Sequence, residues 1–204
     1  MYKQKKVFDK YGLAILSEVY QILSKEKIDC WLDFGTLLGA YRDHDFIPHD
    51  ADLDLGVFEK DAERFERAMQ HSKMLKFDHK YVIGKEKQIA QISYQFNGIT
   101  IIDFCFYSHD KDDNRQIYTY LGSHPEDSTI PFDVVQVKKV ISPFEGLENI
   151  EFKGVNCQIP VNTNDYLIAN YGTNYMTPDP SFDSSEATNV VEYELDELKG
   201  YEIQ

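Results

Sequence analysis

Cysteine is scarce in this chain, and long apolar runs are absent. The three cysteines, Cys30, Cys105 and Cys157, are widely separated, and no two of them form a CxxC pair. This pattern argues against a disulfide framework or a cysteine zinc site and favours reduced, buried thiols. No apolar segment follows the N-terminal lysines, and no run reaches the length of a membrane span. We therefore expect a soluble cytoplasmic protein that makes at most peripheral contact with the inner face of a membrane.

Positive charge is also in short supply. The chain has 21 Lys and Arg against 35 Asp and Glu, which gives a formal net charge of −14. Binding to a nucleic-acid backbone needs a basic surface, so we expect no nucleic-acid partner. The 204 residues, of which 42% are hydrophobic, are enough for one substantial core. We predict one domain over residues 1–178 and a solvated acidic tail over 179–204, where Lys199 is the only base.

Hydrophobic periodicity predicts a mixed order of helices and strands. The Asn97-Gly98 dipeptide between two apolar runs predicts a β-hairpin. The mixture indicates an α+β or α/β sandwich. The predicted elements are a helix over about 5–27, strands over 30–34 and 52–58 around a short helix over 36–42, a helix over about 60–72, strands over 90–96, 99–107, 134–141, 150–153 and 155–159, and a last helix that begins at Asn162 or Thr163 and stops at Gly172.

Three aspartates, Asp50, Asp52 and Asp54, are spaced two residues apart. Side chains alternate between the faces of a strand, so the three acids would share one face while Leu53 and Leu55 enter the core. Two carboxylates about 4 Å apart repel by roughly 4 kcal/mol at an effective dielectric constant near 20. A hard cation relieves such crowding. The pattern therefore predicts a site for Mg²⁺ (or Mn²⁺).

Two alternatives compete with this metal site. The Asp50-x-Asp52-x-Asp54 spacing also copies the start of an EF-hand calcium loop. That loop needs glycine at its sixth position and glutamate at its twelfth, where this chain has Leu55 and Asp61. The second alternative is a solvated acidic edge without a ligand role.

A further acid, Asp103, stands alone in the apolar run Ile99–Tyr107. An unpaired carboxylate in such a strand costs several kcal/mol. One explanation is a salt bridge to a buried arginine. The other is a ligand or general-base role beside Asp52 and Asp54, as metal-assisted phosphoryl or nucleotidyl transfer requires.

Four residues around the acidic strand are candidates for phosphate binding. Gly35 lets the backbone approach a phosphate, and the N–H groups that follow Thr36 open a helix toward the anion. Arg42, at the other end of that helix, could bind the same phosphates with its planar guanidinium. His49 is a weaker candidate for contact with the nucleotide.

Together, these segments resemble the signature of the LicD family, which includes bacterial phosphocholine transferases and, in animals, fukutin and fukutin-related protein. The resemblance runs from about residue 30 to residue 180, and the sequence departs from the usual pattern at His49 and Ala51. The matching segments are Gly35–Arg42, Ile47–Asp54, Ile102–Phe104, Ile159–Gly172 and Tyr175–Pro178.

The resemblance implies an α+β nucleotidyltransferase fold related to DNA polymerase β, with a mixed sheet flanked by helices. In that superfamily a Gly-Ser or Gly-Thr turn binds phosphate, which assigns that role to Gly35 and Thr36. An Asp-x-Asp pair binds metal, which corresponds to Asp52 and Asp54. The third acid, on a neighbouring strand, corresponds to Asp103.

The first functional hypothesis is a transferase that depends on Mg²⁺ (or Mn²⁺). It would move phosphocholine or a polyol phosphate from a CDP-linked donor to a hydroxyl of a glycan or lipid-linked glycan, in the decoration of a cell-surface polysaccharide or teichoic acid. One alternative is a nucleotidyltransferase that adds NMP to a small molecule or protein. Another is a non-catalytic module that binds a CDP-alcohol.

Overall fold

A mixed β-sheet with helices against it organises the chain. The computed structural model describes residues 2–179, 182 and 187–204. In chain order the elements are α1 (Tyr2–Lys25), β1 (Cys30–Leu32), α2 (Phe34–Leu38), a π-helical turn (Gly39–Asp43), β2 (Leu53–Phe58), a 3-10 turn (Glu59–Asp61), α3 (Ala62–Met69), β3 (Lys76–Ile83), β4 (Gln88–Phe96), β5 (Ile99–His109), β6 (Gln116–Ser123), β7 (Val134–Pro143), β8 (Leu147–Phe152), β9 (Val155–Pro160), α4 (Thr163–Tyr171), β10 (Val190–Tyr193) and β11 (Gly200–Ile203).

The strands lie in the order β10-β7-β11-β3-β4-β5-β2-β1-β9-β8, and β6 pairs with both β5 and β7. The central pair, β2 and β5, is parallel, whereas β4 pairs with β5 in the antiparallel sense. Helices α1 and α3 contact each other, and α1 also contacts β5. The predicted α+β architecture, a mixed sheet flanked by helices, is confirmed.

The first helix packs because its apolar residues recur at helical spacing. Ile15, Leu16, Val19 and Leu23 are all buried in the main core. The helix ends at Lys25, whose positive charge suits a helix C-terminus. Among the described residues, no helix combines the length and the apolar character that crossing a membrane would take.

The hairpin predicted at Asn97-Gly98 joins β4 to β5. Both residues have positive φ, 53° for Asn97 and 74° for Gly98, which a two-residue hairpin turn of this kind requires. Phe96 and Ile99 face each other directly across it. The prediction is confirmed.

The short helix predicted over 36–42 has a different form. It begins earlier, at Phe34, and after Leu38 continues as the π-helical turn Gly39–Asp43. A π-helical turn holds one more residue than an α-turn, and such turns recur at functional sites. Asp33 caps the start, where its carboxylate accepts a hydrogen bond from the N–H of Phe34 at 2.9 Å.

The C-terminal segment differs most from the prediction. Strand β10 pairs with β7, and β11 lies between β7 and β3. The interpretation as a solvated tail is wrong for these two segments because their backbones pair with strands of the sheet. Glu192 also forms an ion pair with Lys138 at 2.7 Å. Asp183 and Glu186 lie outside the described residues, and the domain boundary at residue 178 stays a prediction.

Candidate active site

Asp54 and Asp103 occupy the same register position on the parallel neighbours β2 and β5. Side chains at paired positions share one face of a sheet, so both carboxylates point to the same side. Asp52 lies just before β2 begins, and its carboxyl interacts electrostatically with those of Asp54 and Asp103. All three are partly exposed. The sheet therefore brings together the three acids that the sequence singled out.

Electrostatics show how closely these acids interact. Burial raises the pKa of the Asp52 carboxyl to about 6, and repulsion from Asp103 and Asp50 adds to the effect. Burial also raises the pKa of Asp54 well above its usual range, with repulsion from Asp52 and Asp103 as the next causes. Among the described residues, no Lys or Arg forms an ion pair with Asp52, Asp54 or Asp103. Within the part of the chain that the structure describes, no lysine or arginine therefore neutralises these acids by direct contact.

Asp103 is held by hydroxyl and amide donors. The Ser93 hydroxyl on β4, its direct register partner, donates a hydrogen bond to Asp103. Burial raises the pKa of Asp103, while hydrogen bonds from Ser93 and Gln91 act in the opposite direction. Within the described part of the chain Asp103 has no arginine partner, which disfavours the salt-bridge explanation of this residue.

Gly35 allows helix α2 to lie close to the aspartates of the acidic segment. A Cβ at this position would lie 2.5 Å from Oδ2 of Asp50 and 3.5 Å from Oδ2 of Asp54. Any side chain would therefore displace a carboxylate. The first aspartate of the motif, Asp50, precedes β2, its carboxylate lies against Gly35 of α2, and burial raises the pKa of that carboxyl.

Thr36 has a contact that differs from its predicted role. Its hydroxyl oxygen accepts a hydrogen bond from the backbone N–H of Asp54 at 2.9 Å, and the side chain is 3% exposed. The contact ties the helix start to the acidic strand. Phosphate binding by Thr36 stays a prediction.

A large cavity opens beside Gly35 and Asp50. Its volume is about 1020 Å³, and both Arg42 and His49 line it. Contact of these two residues with a donor stays a prediction. The Arg42 guanidinium is already engaged: Nε and Nη2 donate to Asp43 at 2.9 and 2.8 Å, and Nη1 donates to the Tyr175 carbonyl at 3.2 Å. To bind a phosphate with two parallel hydrogen bonds from Nε and Nη2, Arg42 would have to release Asp43.

Sequence reasoning missed Asp33, which lies completely buried beneath the site. The hydroxyls of Tyr107 and Tyr166 donate to its carboxylate at 2.7 and 2.8 Å, and its backbone N–H donates to the Asp54 carbonyl at 3.0 Å. Burial raises the pKa of Asp33 to about 6, and these hydroxyl donors oppose the rise. One signal was available: an aspartate between a buried strand and a Gly-Thr helix start is a preferred N-cap.

The carboxylates suit a divalent cation in charge and chemistry. Among the described residues, no three or more His, Cys, Asp or Glu side chains form a group that could hold a metal ion. Mg²⁺ is usually held by one or two carboxylates together with substrate phosphates and water. Asp52 and Asp54 fit that partial set. The EF-hand alternative does not fit, because Asp54 lies in a strand.

The family model described as "LicD/FKTN/FKRP, nucleotidyltransferase domain" matches residues 27–162, which include Gly35, the acidic strand and Asp103. The chain belongs to this family. As a LicD-family member it is similar to the mouse protein named ribitol-5-phosphate transferase FKTN, with 28% identity over 90% of this chain and 37% of that protein. The human FKTN protein is 27% identical over 86% of this chain and 35% of its own length.

An uncharacterized protein of Rickettsia typhi is 26% identical over 72% of this LicD-family chain and 46% of its own length. The chain thus spans less than half of the curated relatives it matches here. Among solved structures it is similar to the lincosamide antibiotic adenylyltransferase LnuA in its lincomycin-bound form, with a TM-score of 0.46 and 10% identity over 82% of this chain and 94% of that one.

Proposed function

We propose that this LicD-family chain is a metal-dependent transferase. It moves a phospho-alcohol, phosphocholine or a polyol phosphate, from a CDP-linked donor to a hydroxyl of a glycan or lipid-linked glycan. The observation that carries the proposal is the shared register of Asp54 and Asp103 beside Asp52, next to Gly35 and the large cavity. The similarity to the mouse protein named ribitol-5-phosphate transferase FKTN supports the class of reaction.

In the proposed reaction the oxygen of the acceptor hydroxyl forms a bond to the phosphorus that carries the alcohol. The bond between that phosphorus and the oxygen bridging to CMP breaks, and CMP leaves with the bond's electrons. The acceptor loses its hydroxyl proton, which Asp103 would receive. Asp52 and Asp54 would hold the cation, which neutralises charge on the donor diphosphate.

The cavity accounts for donor binding in this proposal. Gly35 opens the backbone to the phosphates, and Arg42 and His49 face the same space. Arg42 would exchange Asp43 for a phosphate, since a planar guanidinium binds either anion with two parallel hydrogen bonds.

The test is CMP release from a panel of CDP-alcohols, including CDP-choline and CDP-ribitol, with Mg²⁺ and with chelator. We expect release only with the cation, and a loss of at least about a hundredfold in Asp52→Asn and Asp103→Asn. Asp112→Asn, an exposed carboxylate far along the chain, is the matched control and should behave as wild type. Full turnover in Asp52→Asn would remove that residue from the mechanism.

The second candidate function is nucleotidyl transfer, in which the acceptor attacks the α-phosphate of a nucleoside triphosphate with the help of the same acids. The description of the matching family model as a nucleotidyltransferase domain is the reason to test this reaction. Labelled CTP and ATP separate the two reactions, because only nucleotidyl transfer leaves NMP on the acceptor. Metal-dependent thermal stabilisation by CDP-choline without any release of CMP would instead indicate a binding module.

A further inference from the structure

A histidine faces the acidic site from the far side of Asp103. The register partners His79, Ser93, Asp103 and Asp54 form one row across β3, β4, β5 and β2. Residues paired across neighbouring strands point to the same face. His79 therefore shares a face with the two acids.

A β-bulge gives this histidine a carboxylate neighbour on the same face. The register of β3 against β4 shifts between Phe77 and His79, so Asp78 is an extra residue in the strand. In a regular strand Asp78 and His79 would point to opposite sides. Here the Asp78 carboxylate lies 3.2 Å from Nδ1 of His79. Bulges re-aim side chains in this way, often beside active sites.

The contacts of Asp78 determine which ring nitrogen of His79 donates a hydrogen bond and which accepts one. Asp78 accepts from the Thr100 hydroxyl at 2.6 Å and from the Gln95 amide at 3.1 Å, which holds the carboxylate in place. An ionised carboxylate only accepts, so Nδ1 of His79 must carry the proton and donate it. Nε2 of a neutral ring is then an acceptor. Among the described residues Nε2 has no hydrogen-bond partner, and the side chain is 21% exposed.

The surroundings of His79 suit a neutral hydroxylated ligand. Tyr81 lies beside its ring with the centroids 5.1 Å apart, and Gln91 pairs with Tyr81 on the neighbouring strand. Lys80 points to the other face, where it forms an ion pair with Glu66 at 2.7 Å. With Asp78 and Asp103 close by and that lysine turned away, a phosphate would be repelled there, whereas a sugar or polyol would find hydrogen-bond partners.

We propose that His79, oriented by Asp78, binds a hydroxyl of the glycan acceptor through Nε2, and that this face of β3 and β4 is the acceptor side of the site. The inference rests on the proposed transferase function. The donor would enter from the cavity at Gly35 and Arg42, and the acceptor from the opposite side of Asp103.

Two amide substitutions separate this role from a structural one. In His79→Asn the amide reaches the position of Nδ1, next to Asp78, but leaves the Nε2 position empty. In His79→Gln the amide reaches the Nε2 position and loses the contact with Asp78. His124→Gln is the matched control, because His124 also pairs with an acid, Glu202 at 2.8 Å, but is not in the register row that contains Asp103.

The measurement is CMP release from the best CDP-alcohol at saturating Mg²⁺, with p-nitrophenyl glycosides of glucose, galactose and N-acetylgalactosamine as acceptor probes. We expect His79→Asn to raise the acceptor KM by about tenfold, the loss of one hydrogen bond. His79→Gln should raise it less. The donor KM and the slow release of CMP to water should stay at wild-type values in both variants, and His124→Gln should change nothing.

Three results would overturn the inference. If His79→Gln is more damaging than His79→Asn, the histidine acts only through Asp78 as a structural contact. If both variants keep the wild-type acceptor KM, or if no probe accelerates CMP release, His79 is not an acceptor contact and the donor chemistry still stands. If wild-type protein releases no CMP from any CDP-alcohol, the proposed function itself fails, and the inference fails with it.

Discussion

The hydroxyl oxygen of Thr36 accepts a hydrogen bond from the backbone N–H of Asp54 at 2.9 Å. Residues 18 positions apart are thereby joined, and the helix that starts at the Gly-Thr turn is fixed to the strand that carries the acids. This hydrogen bond gives the backbone N–H of Asp54 an acceptor, which a buried N–H near the site needs.

Loss of this hydroxyl should weaken the fold. Thr36→Val keeps the shape of the side chain but leaves the Asp54 N–H without its partner, which costs about 1–3 kcal/mol of unfolding free energy. Thr36→Ser keeps the hydroxyl and should lose less. Urea unfolding of both variants at pH 7 measures the difference. Equal stability of the valine and serine variants would show that the hydrogen bond contributes little.

A side chain at position 35 should harm the site more than the fold. In Gly35→Ala the new Cβ would lie 2.5 Å from Oδ2 of Asp50, and a rotation of the Asp50 side chain can relieve the contact. Alanine also favours a helix over glycine by up to about 1 kcal/mol, so the unfolding free energy should change by less than about 1 kcal/mol. CMP release should fall at least about tenfold, because the Cβ fills the path to the phosphates. Asp50→Ala, measured in parallel, shows how much of the loss comes from the displaced carboxylate.

The carboxyl of Asp52 should make the metal-free protein less stable as pH rises. Its pKa is about 6 in the fold against an ordinary value of 3.8. Between these values the native state holds more protons than the unfolded state, so its stability falls with rising pH and stays low above pH 6. Metal-free Asp52→Asn should therefore be more stable than wild type at pH 7 by on the order of 1–2 kcal/mol, after allowance for partial exposure.

The advantage of Asp52→Asn should shrink from pH 7 toward pH 4, where the wild-type carboxyl is protonated in the native state and partly protonated in the unfolded state, and it disappears only below the ordinary value of 3.8. Unfolding in urea with chelator at pH 4, 5, 6 and 7 gives the full curve. A wild-type protein that is as stable as the variant at pH 7 would contradict the raised pKa.

A bound divalent cation should offset the loss of stability that the ionised Asp52 carboxyl causes. At a Mg²⁺ concentration ten times the dissociation constant, binding to the folded state adds about 1.4 kcal/mol of stability. The rise in melting temperature should be clear at pH 7.5, lost on addition of chelator, and smaller at pH 5, where Asp52 is largely protonated. The double variant Asp52→Asn/Asp54→Asn should not respond to Mg²⁺, whereas Asp112→Asn should respond fully. An equal response of the double variant would place the cation elsewhere.

Local sequence patterns predicted the elements that build the site. The alternation of aspartate and leucine predicted a strand because one face carries charge and the other packs in the core, and Leu53–Phe58 is that strand. Asn97-Gly98 predicted its hairpin because few residues adopt positive φ. The strands that were missed, among them β3 and β10, have weak alternation, because a bulge or a charged edge interrupts it.

By itself, the sequence determined the membership of the chain in its family and the identity of its three acids, since both depend on residue types at short fixed spacings. Only the tertiary structure decided that Asp54 and Asp103 share a register position, that Asp33 lies buried between two tyrosine hydroxyls, and that His79 completes the row across the sheet. Strand order and bulges bring together residues far apart in the chain, and these depend on how the whole sheet packs rather than on any local pattern.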